Sequence, residues 1–445
     1  MKKRIFYMGA LLTALVGFGQ YGASISLDHP SGVYKSGETA TCRVELTKDG
    51  QPLEGENARM ILKFESKVLE TKDFRTTGSA MTFPYTAEKP GWVFFGFEVL
   101  DKDGKALKGP GVQRHSAKST IVAEIGALFE PENIRTGVKR PEDFEAFWAA
   151  RRAALDKVPI QPTLTPFECQ EPGVELFKVS VPAIGEYPVT GYLALPANAK
   201  PGSLPAYVDW ASWSACDASP GVAVNTAKQG GIGFAPTWHG RPVGMGAEWY
   251  NYKTTIKIDG GLLGIEDREK WCFSDMYYRT MRALDFVKSL PEWDRRTLVS
   301  RGGSLGGAQS AAAAALDKDV TLAVVMNPCF CEFDGWASGR KSSIPHIRIT
   351  KRILAGDREP LEAGAYFDCV NFAPMIKCRT FVCTGGTDEL CPPSNVYAFY
   401  NALPAETQKQ IFFNPGVGHY GQINRSVAPH LKKLFDSIRI TPHEN

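Results

Sequence analysis

The stretch Thr297–Asp317, TLVSRGGSLGGAQSAAAAALD, decides how the rest of this 445-residue chain is read. An apolar run meets a cluster of glycines around one serine, and an alanine-rich segment follows. Gly302-Gly303-Ser304-Leu305-Gly306 fits G-x-S-x-G between a strand and a helix. A turn that tight forces the serine into a strained backbone, and side chains two residues before and after it would collide. Ser304 then projects at the start of a helix, where the dipole and the N–H of Leu305 face any developing negative charge. Glycine-rich strand-to-helix turns also hold phosphates. However, G-x-x-x-x-G-K-[ST] is absent, and no acidic residue stands where a dinucleotide ribose would need one. A purely structural glycine turn stays open as the alternative.

Around this stretch, apolar runs alternate with helical segments and glycine-rich turns, the pattern of a mainly parallel sheet covered by helices. Eight candidate strands begin at Val174, Val189, Ala206, Gly231, Arg296, Thr321, Arg379 and Lys409. Before them, RPEDFEAFWAARRAALDKV is predicted as a helix, with Phe144, Phe147 and Trp148 on one face. Sites in such sheets form beyond the carboxyl ends of the strands, so residues in those loops carry most weight.

A serine hydroxyl needs a base, and on such a sheet the partners follow in the order serine, acid, histidine. After Ser304 the histidines are His346, His419, His430 and His443. His419 lies in PGVGHYG, just beyond the last strand. His430 falls in the helical pattern SVAPHLKKLFDSI, and His443 in the tail. His419 is therefore the candidate base. The acid should follow the preceding strand, where TFVCTGGTDELCPPS presents Asp388, with Glu389 as the adjacent alternative.

From about Ser24 to residue 123 the texture changes to all-β. ATCRVEL alternates polar and apolar residues, KDG and DKDG read as hairpin turns, and ARMILKF and GWVFFGFEVL as further strands. This spacing predicts an immunoglobulin-like sandwich of roughly one hundred residues. Its role is open between a spacer and a carbohydrate-binding or oligomerisation module. Residues 124–140 are expected as a linker, and 141–445 as the catalytic domain. At the front, MKKR and a short apolar run read as a signal peptide over residues 1–23, with cleavage before Gln20 or after Ala23. A secreted or periplasmic location is expected. No later run of 18 apolar residues suggests stable membrane insertion.

Composition excludes little else. Hydrophobic residues are 43% and charged residues 22%, and a formal charge of +3 gives no field for nucleic acid. Ten cysteines are scattered, so most are expected as buried thiols, although export permits one or two disulfides. Cys329 and Cys331 form a C-x-C pair without a second ligand pair, so no zinc site is expected.

From about Pro141 to Ile438 the chain resembles the acetyl xylan esterase / cephalosporin C deacetylase family of α/β-hydrolases, the seventh carbohydrate esterase family. The stretches DFEAFW, MYYRTMRALDFVKSL, RGGSLGGA and GGTDELCPPSNVYAFYNAL carry the likeness. The resemblance implies an α/β-hydrolase with a mainly parallel eight-stranded sheet, preceded here by the sandwich. It implies catalytic roles for Ser304, Asp388 and His419, and an oxyanion hole from the backbone N–H groups of Leu305 and Trp213. It also implies a homo-oligomer, since related enzymes form hexamers. No metal or cofactor is expected. The family's R-G-Q stands here as His239-Gly240-Arg241, its H-E as His419-Tyr420, and the H-G before its oxyanion tyrosine as Ala211-Ser212.

The expected activity is hydrolysis of acetyl or other short-chain acyl esters on plant polysaccharides or small esters. Trp210, Trp238, His239 and Arg241 are candidate substrate contacts. Tryptophan faces stack on sugars, and an arginine binds a carboxylate or pairs with an acid such as Glu248. Core packing is the alternative for each of Trp210, Trp213, Trp238, Trp249 and Trp271. A serine peptidase on the same scaffold and a non-catalytic carbohydrate-binding relative are the other functional readings.

Overall fold

The computed structural model describes residues 21–107, 120–213, 217–246, 249–250, 264–341, 343, 347–419 and 422–439. The expected leader up to residue 20, and Cys216, Glu248, His346, Tyr420 and His443, lie outside them.

Among the described residues, nine strands build the N-terminal part: β1 (Tyr21–Leu27), β2 (Val33–Tyr34), β3 (Thr39–Lys48), β4 (Gln51–Pro52), β5 (Glu54–Phe64), β6 (Lys67–Thr77), β7 (Met81–Thr86), β8 (Gly91–Val99) and β9 (Ile121–Phe129). They form a four-stranded sheet, with β3 between β1 and both β4 and β7, and a five-stranded sheet in the order β2-β9-β8-β5-β6. Strand β3 buries Ala40, Cys42, Val44 and Leu46 in alternation, as its period-two pattern requires. These meet Met60, Leu62, Phe95 and Phe97 of the other sheet in one core. β8 is buried on both faces. Val93, Phe95 and Phe97 fill the sandwich core, while Trp92 and Phe94, with Leu128 of β9, belong to the core of the second domain.

Two boundaries differ from the sequence-based expectation. The expected linker 124–140 starts later, because Glu124–Phe129 completes β9 and pairs with β8. Apart from Glu124 its residues lack polar side chains: Leu128 joins the core of the second domain, and Ile125, Ala127 and Phe129 join that of the sandwich. At the front, Tyr21–Ala23 already pair with Leu46–Lys48, so cleavage before Gln20 leaves β1 whole, while cleavage after Ala23 would remove its first three residues.

The second domain carries nine further strands: β10 (Thr163–Pro166), β11 (Val174–Val181), β12 (Val189–Pro196), β13 (Leu204–Trp210), β14 (Ile232–Pro236), β15 (Trp293–Gly303), β16 (Leu322–Met326), β17 (Arg379–Gly385) and β18 (Lys409–Asn414). They form one sheet ordered β10-β11-β12-β14-β13-β15-β16-β17-β18. The three pairings among β10, β11, β12 and β14 are antiparallel, and the remaining five are parallel. All eight predicted strands are present. The ninth, β10, is four residues long, exposed throughout, and ends in a proline. The helices are α1 (Phe144–Leu155), α2 (Pro220–Lys228), α3 (Ser274–Ser289), α4 (Leu305–Leu316), α5 (Ile347–Leu354), α6 (Glu359–Gly364), α7 (Cys369–Phe372), α8 (Pro393–Ala402) and α9 (Gln422–Arg439). The chain is an α/β-hydrolase fold behind a β-rich domain. Helix α4 packs on β15 and β16, and its alanines keep it close to the sheet. Among the described residues no helix is long and apolar enough to cross a membrane.

Candidate active site

The glycine turn after β15 has the predicted geometry. Ser304 adopts φ 58° and ψ −118°, a region costly for any residue with a Cβ. A Cβ on Gly302 would lie 2.4 Å from the Gly306 carbonyl oxygen, and one on Gly306 would lie 2.3 Å from that of Trp210. The strained serine is held on both sides: its N–H donates to Met326 O at 3.0 Å, and its carbonyl accepts from Cys329 N at 3.1 Å. Leu305 is the first residue of α4, so its N–H is among those a helix leaves without an internal partner.

The loops after β17 and β18 bring the partners. His419 Nε2 is 2.9 Å from Ser304 Oγ, and His419 Nδ1 is 2.8 Å from Asp388 Oδ2. Asp388 is fully buried, and its other oxygen accepts the N–H groups of Leu390 and Cys391 at 2.9 and 2.8 Å. Those two bonds fix the carboxylate's rotation, so Oδ2 has one direction to point. Glu389 does not share this role: it pairs with Lys63 at 2.6 Å. His430 is also elsewhere, packed 4.5 Å from the Phe412 ring.

Sequence reasoning missed Asn327. This buried residue follows β16 with φ 31° and places Nδ2 3.0 Å from His419 Nδ1. Its own N–H donates to Cys383 O at 2.7 Å, which ties it to the strand that leads to Asp388. The sequence offers only an asparagine at a predicted strand's carboxyl end, which read alone looks like a turn former.

The candidate substrate residues divide. Trp210 is buried and its Nε1 donates to Ser300 Oγ at 2.8 Å, inside the sheet. It is core, contrary to expectation, because its position on β13 turns the indole inward. Trp238 and His239 are buried as well. The Trp238 ring lies 6.2 Å from Trp213 and 5.5 Å from Phe273, and its carbonyl accepts from Arg279 at 3.0 and 3.2 Å. Burial pulls the Arg279 guanidinium down to about 10. His239 Nδ1 accepts from Arg241 N at 3.0 Å. The Arg241 guanidinium stacks 3.9 Å over the Tyr187 ring. Trp213 packs 4.8 Å from Phe273 in the loop after β13, next to the nucleophile turn. Trp271 packs on Phe273, Phe330 and Phe367 as core.

Among the described residues nine cysteines are free thiols, including Cys329 and Cys331. Burial raises the thiol pKa values of Cys329, Cys331 and Cys391. Among the described residues one group could hold a metal ion: Asp388, Cys391 and His419, with ligand atoms within 4.8 Å of one another. Its carboxylate and imidazole already share a hydrogen bond, so an ion there would displace that proton.

Comparison with known proteins gives the family and the fold. The acetyl xylan esterase family model matches residues 127–430, from within β9 to α9. Acetyl esterase Axe7A of Xylanibacter ruminicola is 27% identical over 436 residues, spanning 92% of this chain and 90% of its own length. That alignment therefore extends into the sandwich. Two solved structures share the fold. Acetyl xylan esterase from Paenibacillus sp. R4 is 24% identical with a TM-score of 0.58, covering 70% of this chain and 98% of its own. Acetyl xylan esterase 1 from Thermoanaerobacterium sp. JW/SL YS485 is 20% identical with a TM-score of 0.56, covering 68% and 96%. The family match spans well over half the chain and includes the serine turn and both partner loops, so the chain belongs to the acetyl xylan esterase family and is a carboxylic ester hydrolase.

Proposed function

We propose that the protein is an exported serine esterase that removes acetyl and other short acyl groups from xylan or other plant-polysaccharide oligosaccharides. The observation that carries the mechanism is the unbroken hydrogen-bond line from Ser304 Oγ through His419 to Asp388. Ser304 attacks the ester carbonyl as His419 Nε2 takes its proton. Asp388 orients the ring and offsets the charge it acquires. The developing oxyanion is met by the N–H groups of Leu305 and Trp213, each worth on the order of 10²–10³ in rate. The imidazolium returns the proton to the departing sugar oxygen. Water, activated by the same imidazole, then attacks the acyl-enzyme and releases the acid. Every step uses groups of this chain. The substrate class rests on the family and on the Xylanibacter relative, an acetyl esterase. Export rests on the MKKR-plus-apolar start of the sequence.

The test is acetate release from acetylated xylan, other acetylated glycans and p-nitrophenyl esters of increasing chain length, beside an aminopeptidase substrate. Acetate release from xylan, with activity falling as the acyl chain grows, is expected. Rapid peptide cleavage without acetate release would overturn it.

A further inference from the structure

The second-domain loops that carry Asp388 and His419 are unusually bare. Gly385 ends β17 and Gly386 follows it, and Gly416 and Gly418 precede His419. The two loops lie so close that a Cβ on Gly385 would sit 2.1 Å from Val417 O, and one on Gly386 2.5 Å from Pro415 O. They extend the β17–β18 pairing by two more bonds: Gly386 N to Asn414 O at 2.8 Å and Thr387 N to Val417 O at 3.0 Å. Chain without side chains has much conformational freedom to lose, so something must hold it.

The sandwich does. Gly126 of β9 donates its N–H to Pro415 O at 2.9 Å, on the histidine loop. The Cβ it lacks would stand 1.8 Å from the Gly386 oxygen, on the acid loop. That same oxygen accepts from Trp92 Nε1 at 2.7 Å, and the Trp92 indole is wholly buried. Next to Asp388, Lys63 pairs with Glu389 at 2.6 Å. The β5–β6 hairpin turn adds a further hold: Glu65, at φ 50°, turns its carboxylate inward to accept from Ser394 Oγ at 2.6 Å at the start of α8. Left-handed backbone at a residue with a side chain is retained where the surroundings demand it.

We propose that the N-terminal sandwich is a positioning element of the active site, with Gly126 and Trp92 setting the mutual placement of the loops that present Asp388 and His419. This rests on Ser304, His419 and Asp388 forming the triad, as proposed above. Neither Gly126 nor Trp92 touches substrate; they act on the distance between acid and base. A shift of about 1 Å at that distance is enough to cost on the order of 10²-fold in rate. The sandwich is accordingly an integral part of the hydrolytic unit.

The experiment uses the full chain. Trp92→Phe keeps an aromatic ring but removes the donor to Gly386. Gly126→Ala adds one methyl against the same carbonyl. Phe83→Leu, in the opposite sheet, weakens the sandwich core without touching either loop. Active sites are counted by fluorophosphonate labelling, and p-nitrophenyl acetate turnover is measured per labelled site beside thermal midpoints. The expected result is a loss in kcat of about 10–100-fold for Trp92→Phe and Gly126→Ala, with KM within about twofold. Phe83→Leu should lower the midpoint and leave kcat per site unchanged. Should Gly126→Ala not fold, Trp92→Phe decides. A kcat per site within about twofold of the parent in folded Trp92→Phe overturns the proposal while leaving the triad intact. Full activity in Ser304→Ala or His419→Ala would instead overturn the triad itself.

Discussion

Gly302 and Gly306 face each other across the serine turn with no room for a single added carbon: the Cβ that Gly302 lacks would lie 2.4 Å from the carbonyl oxygen of Gly306. Gly302→Ala must push either β15 or α4 away from the turn. The expected outcome is a stability loss of at least about 1–3 kcal/mol, together with loss of fluorophosphonate labelling. Gly303, whose Cβ would meet nothing closer than 3.7 Å, is the matched control. Gly303→Ala should lower the thermal midpoint far less than Gly302→Ala, and a reversed order would contradict this account.

The hydrogen-bond line through His419 predicts a steep and non-additive mutational response. Asp388→Asn should lower kcat by about 10⁴-fold while the protein stays folded, because an amide favours the wrong imidazole tautomer. Ser304→Ala with Asp388→Asn should be no worse than Ser304→Ala alone. Glu389→Gln should stay within about threefold of the parent in kcat. Equal losses at Asp388 and Glu389 would show that the acid has been misassigned.

Trp210 makes a discriminating case, since its indole bonds Ser300 inside the sheet. Trp210→Phe should cost about 1 kcal/mol of stability for the lost hydrogen bond and leave KM for every acetyl ester unchanged. A raised KM confined to glycan substrates would return it to the substrate surface.

Glu65 gives a pH signature. Burial pushes its carboxyl up to about 7 from an ordinary 4.5, although Ser394, Arg340 and the Trp92 N–H oppose the shift. The folded protein therefore keeps a proton that the unfolded chain has released. Glu65's contribution to stability is present below about pH 4.5 and is lost as pH rises through about 7. Glu65→Gln should be more stable than the parent at pH 8, by on the order of 1–3 kcal/mol, and no more stable near pH 4.5. Chemical denaturation at both values checks it, and equal differences at the two would remove the carboxyl from the explanation.

What could be read beforehand followed from local pattern. The serine turn was legible because its glycines are demanded by backbone clashes within five residues. Strand β3 was legible because Ala40, Cys42, Val44 and Leu46 alternate cleanly. Asp388 and His419 were legible because strand order places their loops at one edge of the sheet. What escaped depends on partners distant in sequence. The Trp210 side chain sits one residue from a loop, and only the register of β13 against β15 decides which way it points. The end of β9 escaped because the partner of Gly126 is a loop nearly 300 residues later. β10 escaped because Thr163–Pro166 is short, exposed and paired on one side only. Asn327 escaped because nothing nearby in the chain reveals the imidazole beside it.

The hydrogen bond from Trp92 to Gly386 spans 294 residues of chain. In biosynthesis the first partner emerges long before the second exists. Until the last portion of the polypeptide arrives, the outer face of Trp92, Phe94 and Leu128 has nothing to cover it, and Ser304 has no base. A product truncated ahead of position 388 would thus be inert and sticky at once. On the proposed triad, hydrolytic competence requires the chain to extend through both loops, to residue 419.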